Sequence, residues 1–276
     1  MGLSKEQIAR YSRQLMLPEI GVRGQERLLA SSVLLIGAGG LGSPAAWYLA
    51  AAGVGRIGII DRETVTLSNL HRQILHTSDS VGQPKTSSAR ERLHALNPGI
   101  VVEPIQASLH AANALSLIAG YDVVLDGSDN FATRYLVNDA CVLLGKPLIS
   151  GGVVHVGGQV MTVLPKRSAC FRCVFPEPPQ PGAIPSCQAA GIVGAVAGVI
   201  GSVMAHEAIK VLVGFGHAPT DRLMVFDGDA GRVREVPLQR NPACAVCGDA
   251  PTIIAPRDEE DGCLGLHTTH VELTGR

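Results

Sequence analysis

Aromatic residues are scarce, at 4% of the chain with a single tryptophan. The 46% of hydrophobic residues must therefore come mainly from valine, leucine, isoleucine and alanine, the usual filling of a buried parallel sheet. An excess of one charge is also missing: 23 Lys+Arg stand against 24 Asp+Glu, a formal net charge of -1. That balance gives no electrostatic footprint for nucleic acid or for an acidic membrane surface, so neither is expected as a partner. No basic stretch followed by an apolar run opens the sequence, so no secretory signal is expected and the location expected is cytoplasmic. In that compartment the seven cysteines are expected as thiols or metal ligands rather than disulfides. No internal repeat is visible. Residues 189–213 form the one long apolar stretch, but Ser202, His206, Glu207 and Lys210 interrupt it. A spanning helix needs about 20 predominantly apolar residues, so a buried helix of a globular fold is expected instead. Its glycines at 194, 198 and 201 would admit another helix closely, including one across a dimer.

What is present is a regular alternation. Ser4 and Gln7 have the form of a capping box, opening a helix that ends near Pro18, and a second helix covers 25–30. Strand 33–37 runs into a glycine cluster and an apolar helix over 43–52. Strand 56–61, a helix from Pro84 to about Leu96, strand 101–105, helix 111–118, strand 123–126, helix 131–144 and strand 147–150 follow. This order predicts an α/β fold, Rossmann-like and doubly wound, with a mostly parallel sheet. After Gly152 the pattern changes: strands at 159–164, 223–227 and 232–237 predict an antiparallel continuation of the sheet. The stretch 176–185, PEPPQPGAIP, is neither helix nor central strand and predicts an exposed loop. Beyond Gly248 the sequence turns polar and weakly periodic, and a loose tail is expected.

Chemistry concentrates in three places. Gly37-Ala-Gly39-Gly40-Leu-Gly42 follows a strand and opens a helix, and Asp61 ends the next strand about 20 residues on, the spacing of a ribose-binding acid. Glycines let backbone approach a phosphate, and the helix N-terminus favours the anion. This fingerprint alone does not separate ATP from a nicotinamide dinucleotide. Ser68-Asn69-Leu70-His71-Arg72-Gln73, Lys85 and Asp126-Gly-Ser-Asp129-Asn130 add cations and a carboxylate at strand ends, which suits a triphosphate with magnesium. Taken singly, Arg72 and Lys85 are ordinary surface charges, and Asp129 an ordinary helix cap. The third place is the pair of CxxC knuckles, Cys170/Cys173 and Cys244/Cys247, whose four thiols suit a closed tetrahedral metal site. Cys187 precedes the long apolar helix, where the helix dipole favours a thiolate. Cys141 reads as core, and Cys263, His267 and His270 as incidental.

Together these segments resemble the ThiF/MoeB/HesA family, bacterial relatives of ubiquitin-activating enzymes, and most nearly its MoeB-type branch. The likeness is carried by RYSRQ at 10–14, the glycine loop with Asp61, SNLHRQ at 68–73, VGQPK at 81–85, DGSDN at 126–130, GGQV at 157–160, the CxxC pairs and Cys187. It implies an adenylyltransferase that joins AMP to the C-terminal glycine of a ubiquitin-like sulfur-carrier protein ending in Gly-Gly. It implies ATP over Gly39, Gly40 and Gly42 with Asp61 on the ribose, and Asn69, Arg72 and Lys85 on the phosphates. Ser68, Leu70, His71, Gln73 and Asn130 complete the nucleotide site, and Asp129 helps to hold Mg2+. His71 is read as positioning rather than proton transfer. Arg13 matches an arginine that similar enzymes extend to the neighbouring subunit's ATP, which implies a homodimer. Zn2+ in the four-cysteine site, a covalent role for Cys187 and a sulfur donor protein are implied likewise. The implied domain covers 1–250, with N-terminal helices at 4–30, a nucleotide-binding part at 31–152 and a carrier-binding and zinc part at 153–250. The tail is 251–276. The alternative from the fingerprint is an NAD(P)-dependent oxidoreductase. A noncatalytic zinc scaffold and the tRNA-modifying branch of the family are further readings.

Overall fold

Uninterrupted runs of β-branched and aliphatic residues become strands with both faces covered. The computed structural model describes residues 2–179, 191–216, 220 and 222–259. Helices α1 (Lys5–Arg10), α2 (Ser12–Leu15) and α3 (Gly21–Ala30) lead into β1 (Ser32–Ile36), α4 (Gly42–Ala52) and β2 (Arg56–Ile60). A long loop with two short 3-10 turns precedes α5 (Lys85–Leu96), followed by β3 (Val101–Ile105), α6 (Ala111–Ala119), β4 (Val123–Asp126) and α7 (Phe131–Leu144). Then come β5 (Leu148–Val154), β6 (Gly157–Val163), the single turn α8 (Phe171–Val174), the long helix α9 (Gly194–Val213), β7 (Arg222–Asp227) and β8 (Arg232–Pro237).

The strands form one sheet of order β3-β2-β1-β4-β5-β6-β7-β8. Pairing is parallel from β3 to β5 and antiparallel from β5 to β8, as the sequence pattern predicts. The two-residue period of β1 builds both cores: Val33 and Leu35 join one cluster with α4 and α9, while Leu34 and Ile36 join the other with α6 and α7. The apolar stretch is a helix lying in the first core. Gly194 and Gly201 are required there, because a Cβ at either would overlap the backbone carbonyl of His71 or Leu41. A Cβ on Gly198 would meet nothing, so two of the three glycines expected to admit a helix serve packing within this chain, the second of them against α4.

Several boundaries differ from those expected. The first helix breaks at Tyr11, whose ring lies on Gly53 and whose hydroxyl accepts from Asn97 at 2.9 Å. Helix α3 begins at Gly21 rather than residue 25, and Pro84 is the residue before α5 rather than inside its first turn. The expected strands 147–150 and 159–164 are longer partners, β5 and β6, in one hairpin. The loop 176–185 is described only to residue 179; Cys187, Cys263, His267 and His270 lie outside the described residues. Residues 251–259, expected to open a loose tail, instead lie against the body: Ile253 is buried, and Asp258 accepts from the Ala111 N–H at 2.8 Å. Cys141 is fully buried, as expected.

Candidate functional site

Strands β1 and β4 are neighbours, but the chain leaves them toward opposite faces: α4 joins the first core and α7 the second. Such a switch of direction opens a crevice beyond the carboxyl ends of the strands. A cleft of about 460 Å³ occupies it, lined among others by Gly39, Gly40, Asp61, Asn69, Arg72, Gln73, Lys85, Asp129 and Asn130. Gly37 takes φ +92°, a left-handed conformation open to glycine. A Cβ on Gly42 would overlap the Gly37 carbonyl, so that glycine shapes the turn and does not line the cleft. Among the described residues, the Gly39 and Gly40 N–H groups have no protein acceptor. Two free donors at the start of a helix make an anion cradle.

The polar side chains around the cradle are held in place. Asp61 accepts from the Ala38 N–H at 2.9 Å and the Glu63 N–H at 2.8 Å, so its carboxylate braces the glycine loop. Lys85 is buried, 3% exposed, with Nζ 2.6 Å from a carboxylate oxygen of Glu63, itself 53% exposed. Arg72 donates to the Ser68 carbonyl at 3.2 Å and lies 2.8 Å from His71 Nε2, so His71 helps to orient the guanidinium. Ser68 and His71 face a neighbouring hollow that shares Asn69, Arg72 and Glu63 with the cleft, and Leu70 lines neither. In the loop after β4, buried Asp126 accepts from the Ser128 N–H at 3.0 Å and its hydroxyl at 2.6 Å. This turn leaves Asp129 exposed on the cleft wall, while Asn130 caps α7 by accepting from the Thr133 N–H at 2.8 Å. Arg13 lies on α2, exposed and outside the cleft, with Nη1 3.9 Å from the Met16 sulfur.

Three side chains of this neighbourhood, Glu63, Arg134 and His76, escaped the sequence reading. Glu63 and Arg134 line the cleft, the latter donating to the Ser128 carbonyl at 2.8 Å. Gln73 was read within its motif, but its unpartnered buried Oε1 was not foreseeable. His76 is buried beneath the glycine loop, and burial, the leading cause, lowers its pKa below 6.5. The only available signal for Glu63 was its position two residues after Asp61, since a buried ammonium needs a nearby anion.

The two knuckles meet across the second core. The sulfurs of Cys170, Cys173, Cys244 and Cys247 lie within 4.8 Å of one another, with pairs at 3.8, 3.6 and 3.3 Å. A tetrahedral ion with bonds of about 2.3 Å would set its sulfurs roughly 3.8 Å apart, so the donor set fits a metal of zinc's kind. The Asn241 N–H donates to the Cys173 sulfur at 3.3 Å, and Arg240 donates to the Cys247 carbonyl at 2.7 Å. Behind the knuckle, buried Arg172 forks onto buried Asp139 at 2.8 Å and also meets Glu259, with its guanidinium 4.6 Å from the Tyr135 ring centre.

The glycine turn, the acid-ended second strand and the cations at a topological switch point define an α/β protein of the Rossmann-like class, extended by antiparallel strands and a four-cysteine knuckle. The ThiF family profile matches residues 11–246. The chain is 50% identical over 257 residues to a sulfur carrier protein adenylyltransferase of Thermus thermophilus, covering 91% of this chain and 95% of that one. It is 48% identical to the adenylyltransferase and sulfurtransferase MOCS3 of Anopheles gambiae, covering 97% of this chain but 60% of the relative. Among solved structures, Escherichia coli MccB with ATP superposes with a TM-score of 0.75 at 24% identity, covering 86% of this chain and 74% of that one, a likeness of fold. This chain belongs to the ThiF family.

Proposed function

We propose that this protein binds ATP with magnesium in the cleft and adenylylates the C-terminal glycine of a ubiquitin-like sulfur-carrier protein. The observation that carries the reading is the convergence of Lys85, Arg72 and the two free glycine N–H groups on one crevice. It stands in a chain half identical to a relative named for this activity. The carrier's carboxylate oxygen forms a bond to the α-phosphorus while the bond to the β-phosphate oxygen breaks and pyrophosphate leaves. A carboxylate is already ionised at neutral pH, so no general base is required. What the reaction needs is cancellation of charge between two anions, and preorganised donors supply it. Asp61 is assigned to the ribose, Asn69, Arg72 and Lys85 to the phosphates, and Asp129 to magnesium, which would neutralise phosphate charge. Gly39, Gly40, Gly42, Ser68, Leu70, His71, Gln73 and Asn130 shape the surrounding walls and loops.

Zinc in the four-cysteine site has a structural role in this reading, tying the segment after β8 to the segment after β6. Cys187 is assigned as a reactive thiol toward the activated carrier, and a sulfur donor protein completes the sequence of reactions. Arg13 reaches the ATP of a second protomer in a homodimer, in the cytoplasm. The oxidoreductase alternative is set aside, because the relatives reported above are named adenylyltransferases.

ATP–pyrophosphate exchange with each Gly-Gly carrier, read beside the intact mass of the carrier, tests the reading. Carrier-dependent exchange and an AMP-linked carrier are expected; a metal-replete preparation that yields neither with any carrier overturns it. Mixing Arg13→Ala with Lys85→Ala protein should restore part of the exchange through mixed dimers, and no recovery in demonstrably mixed dimers refutes action in trans.

A further inference from the structure

The assignments above leave the buried imidazole beside the cleft, His76, without a task. His76 is 5% exposed and sits between the glycine loop and α5. Its Nε2 lies 3.0 Å from the Ala38 carbonyl oxygen, and its Nδ1 2.9 Å from the Ser88 hydroxyl. A carbonyl has no proton to give, so Nε2 carries the ring proton. A neutral imidazole has only one, so Nδ1 accepts from Ser88. Burial favours that neutral form; Lys85 also opposes a charge on the ring, while the Ala38 carbonyl and Asp61 favour one.

The bond to Ala38 sets the direction of a peptide plane. In a trans peptide the carbonyl and the following N–H point opposite ways. With the Ala38 carbonyl drawn onto His76, the Gly39 N–H is turned away from His76, and Gly39 lines the cleft. The Ala38 N–H is held in turn by the Asp61 carboxylate at 2.9 Å. Both polar atoms of Ala38 are therefore anchored, in a loop whose glycines would otherwise leave the backbone many choices. A flip of the 38–39 peptide would present an oxygen where a phosphate needs a donor.

We propose that His76 is a positioning residue for the nucleotide, holding the 38–39 peptide in the orientation that offers the Gly39 N–H to a phosphate. The proposal rests on the ATP reading. Its test measures binding of a non-hydrolysable ATP analogue with magnesium by calorimetry, and exchange kinetics with carrier, in wild type and three variants. His76→Leu removes the donor. His76→Gln retains an amide N–H that reaches the Ala38 carbonyl. Ser88→Ala frees the ring to adopt the other tautomer.

His76→Leu should weaken analogue binding and raise the KM for ATP about tenfold, the scale of one neutral hydrogen bond, with kcat and the KM for carrier changed less than about threefold. His76→Gln should recover to within about threefold of wild type, and Ser88→Ala should lose roughly threefold. Thermal unfolding, read alongside, identifies loss by misfolding; if His76→Leu does not fold, Ser88→Ala and the ring's proton position decide. Long-range proton–nitrogen spectra of the wild type should show Nε2 protonated and Nδ1 bare. The opposite tautomer, analogue binding undiminished in His76→Leu, or His76→Gln as weak as folded His76→Leu overturns the proposal. Wild-type protein that binds no analogue overturns the nucleotide reading itself.

Discussion

Lys85→Met isolates the contribution of one buried charge to the reaction from its contribution to the fold. Lys85 is 3% exposed, and methionine fills much the same unbranched volume. Breaking a buried ion pair costs about 3–5 kcal/mol when the partner is left stranded in the interior. Here the partner left behind is Glu63, half in water at 53% exposure, and its loss resembles that of a surface pair, under about 1 kcal/mol. For a chain of this size that corresponds to a fall in Tm of no more than roughly 4 °C. With Lys85 on the phosphates as proposed, the reaction loses far more, because a preorganised group aimed at developing negative charge is worth about 10²–10³ in rate. ATP–pyrophosphate exchange should therefore drop about a hundred- to a thousandfold, while calorimetric unfolding without nucleotide scarcely moves. The reverse variant completes the argument. Glu63→Gln strands a buried ammonium and should destabilise by about 3 kcal/mol, more than Lys85→Met does. Exchange within tenfold of wild type in Lys85→Met, or a loss of Tm exceeding about 10 °C, would refute the electrostatic reasoning.

Arg172→Met leaves the Asp139 carboxylate uncompensated at 0% exposure and should cost about 3–5 kcal/mol in denaturant unfolding; adding Asp139→Leu should return most of it. Metal analysis of carefully purified protein should find zinc close to one per chain, and Cys244→Ser should lose both metal and thermal stability; content well below one refutes the site. His76 gives a pH signature. Its folded pKa lies below 6.5, so as pH falls through 6.5 the unfolded chain takes up a proton that the folded chain refuses. Stability should decline from pH 6.5 down to the folded pKa and then level off. The His76→Gln variant should lack that component of the slope in equilibrium unfolding, and an unchanged slope counts against it.

Alternation and apolar runs carried most of the fold, because a parallel sheet covered on both faces leaves that trace in any sequence. Two of the misread boundaries, the end of β5 and the start of α3, share a cause. Gly151 and Gly152 look like the end of a strand, yet β5 continues to Val154, and Gly151 lacks a side chain because the Met204 sulfur of α9 occupies the space. Gly24 looks like a helix breaker for the same reason: a Cβ there would stand 2.9 Å from Val213. In both places a local signal was overruled by a partner far along the chain. The candidate site divides similarly. Its glycines, acids and cations were visible as motifs, since each sits at a strand end or helix start that spacing reveals. The pairing of Lys85 with Glu63, 22 residues away, and the reach of His76 to Ala38, 38 residues away, depend on loop paths that no local pattern encodes. Asp258 and Glu259 read as solvent-facing tail because their partners, the Ala111 N–H and the Arg172 guanidinium, were equally remote.

The β6–β7 ladder and the cysteine knuckles both bridge the stretch 180–190. Severing a peptide bond there would end covalent continuity without dissolving the architecture. The piece ending near residue 179 keeps its grip on the remainder through five strand register partners and two thiols, with α9 still sunk against α4. A cut molecule would therefore migrate as two fragments only after denaturation, and chelation of a metal held by the four thiols would loosen the knuckle while leaving the strand ladder and the α9–α4 packing.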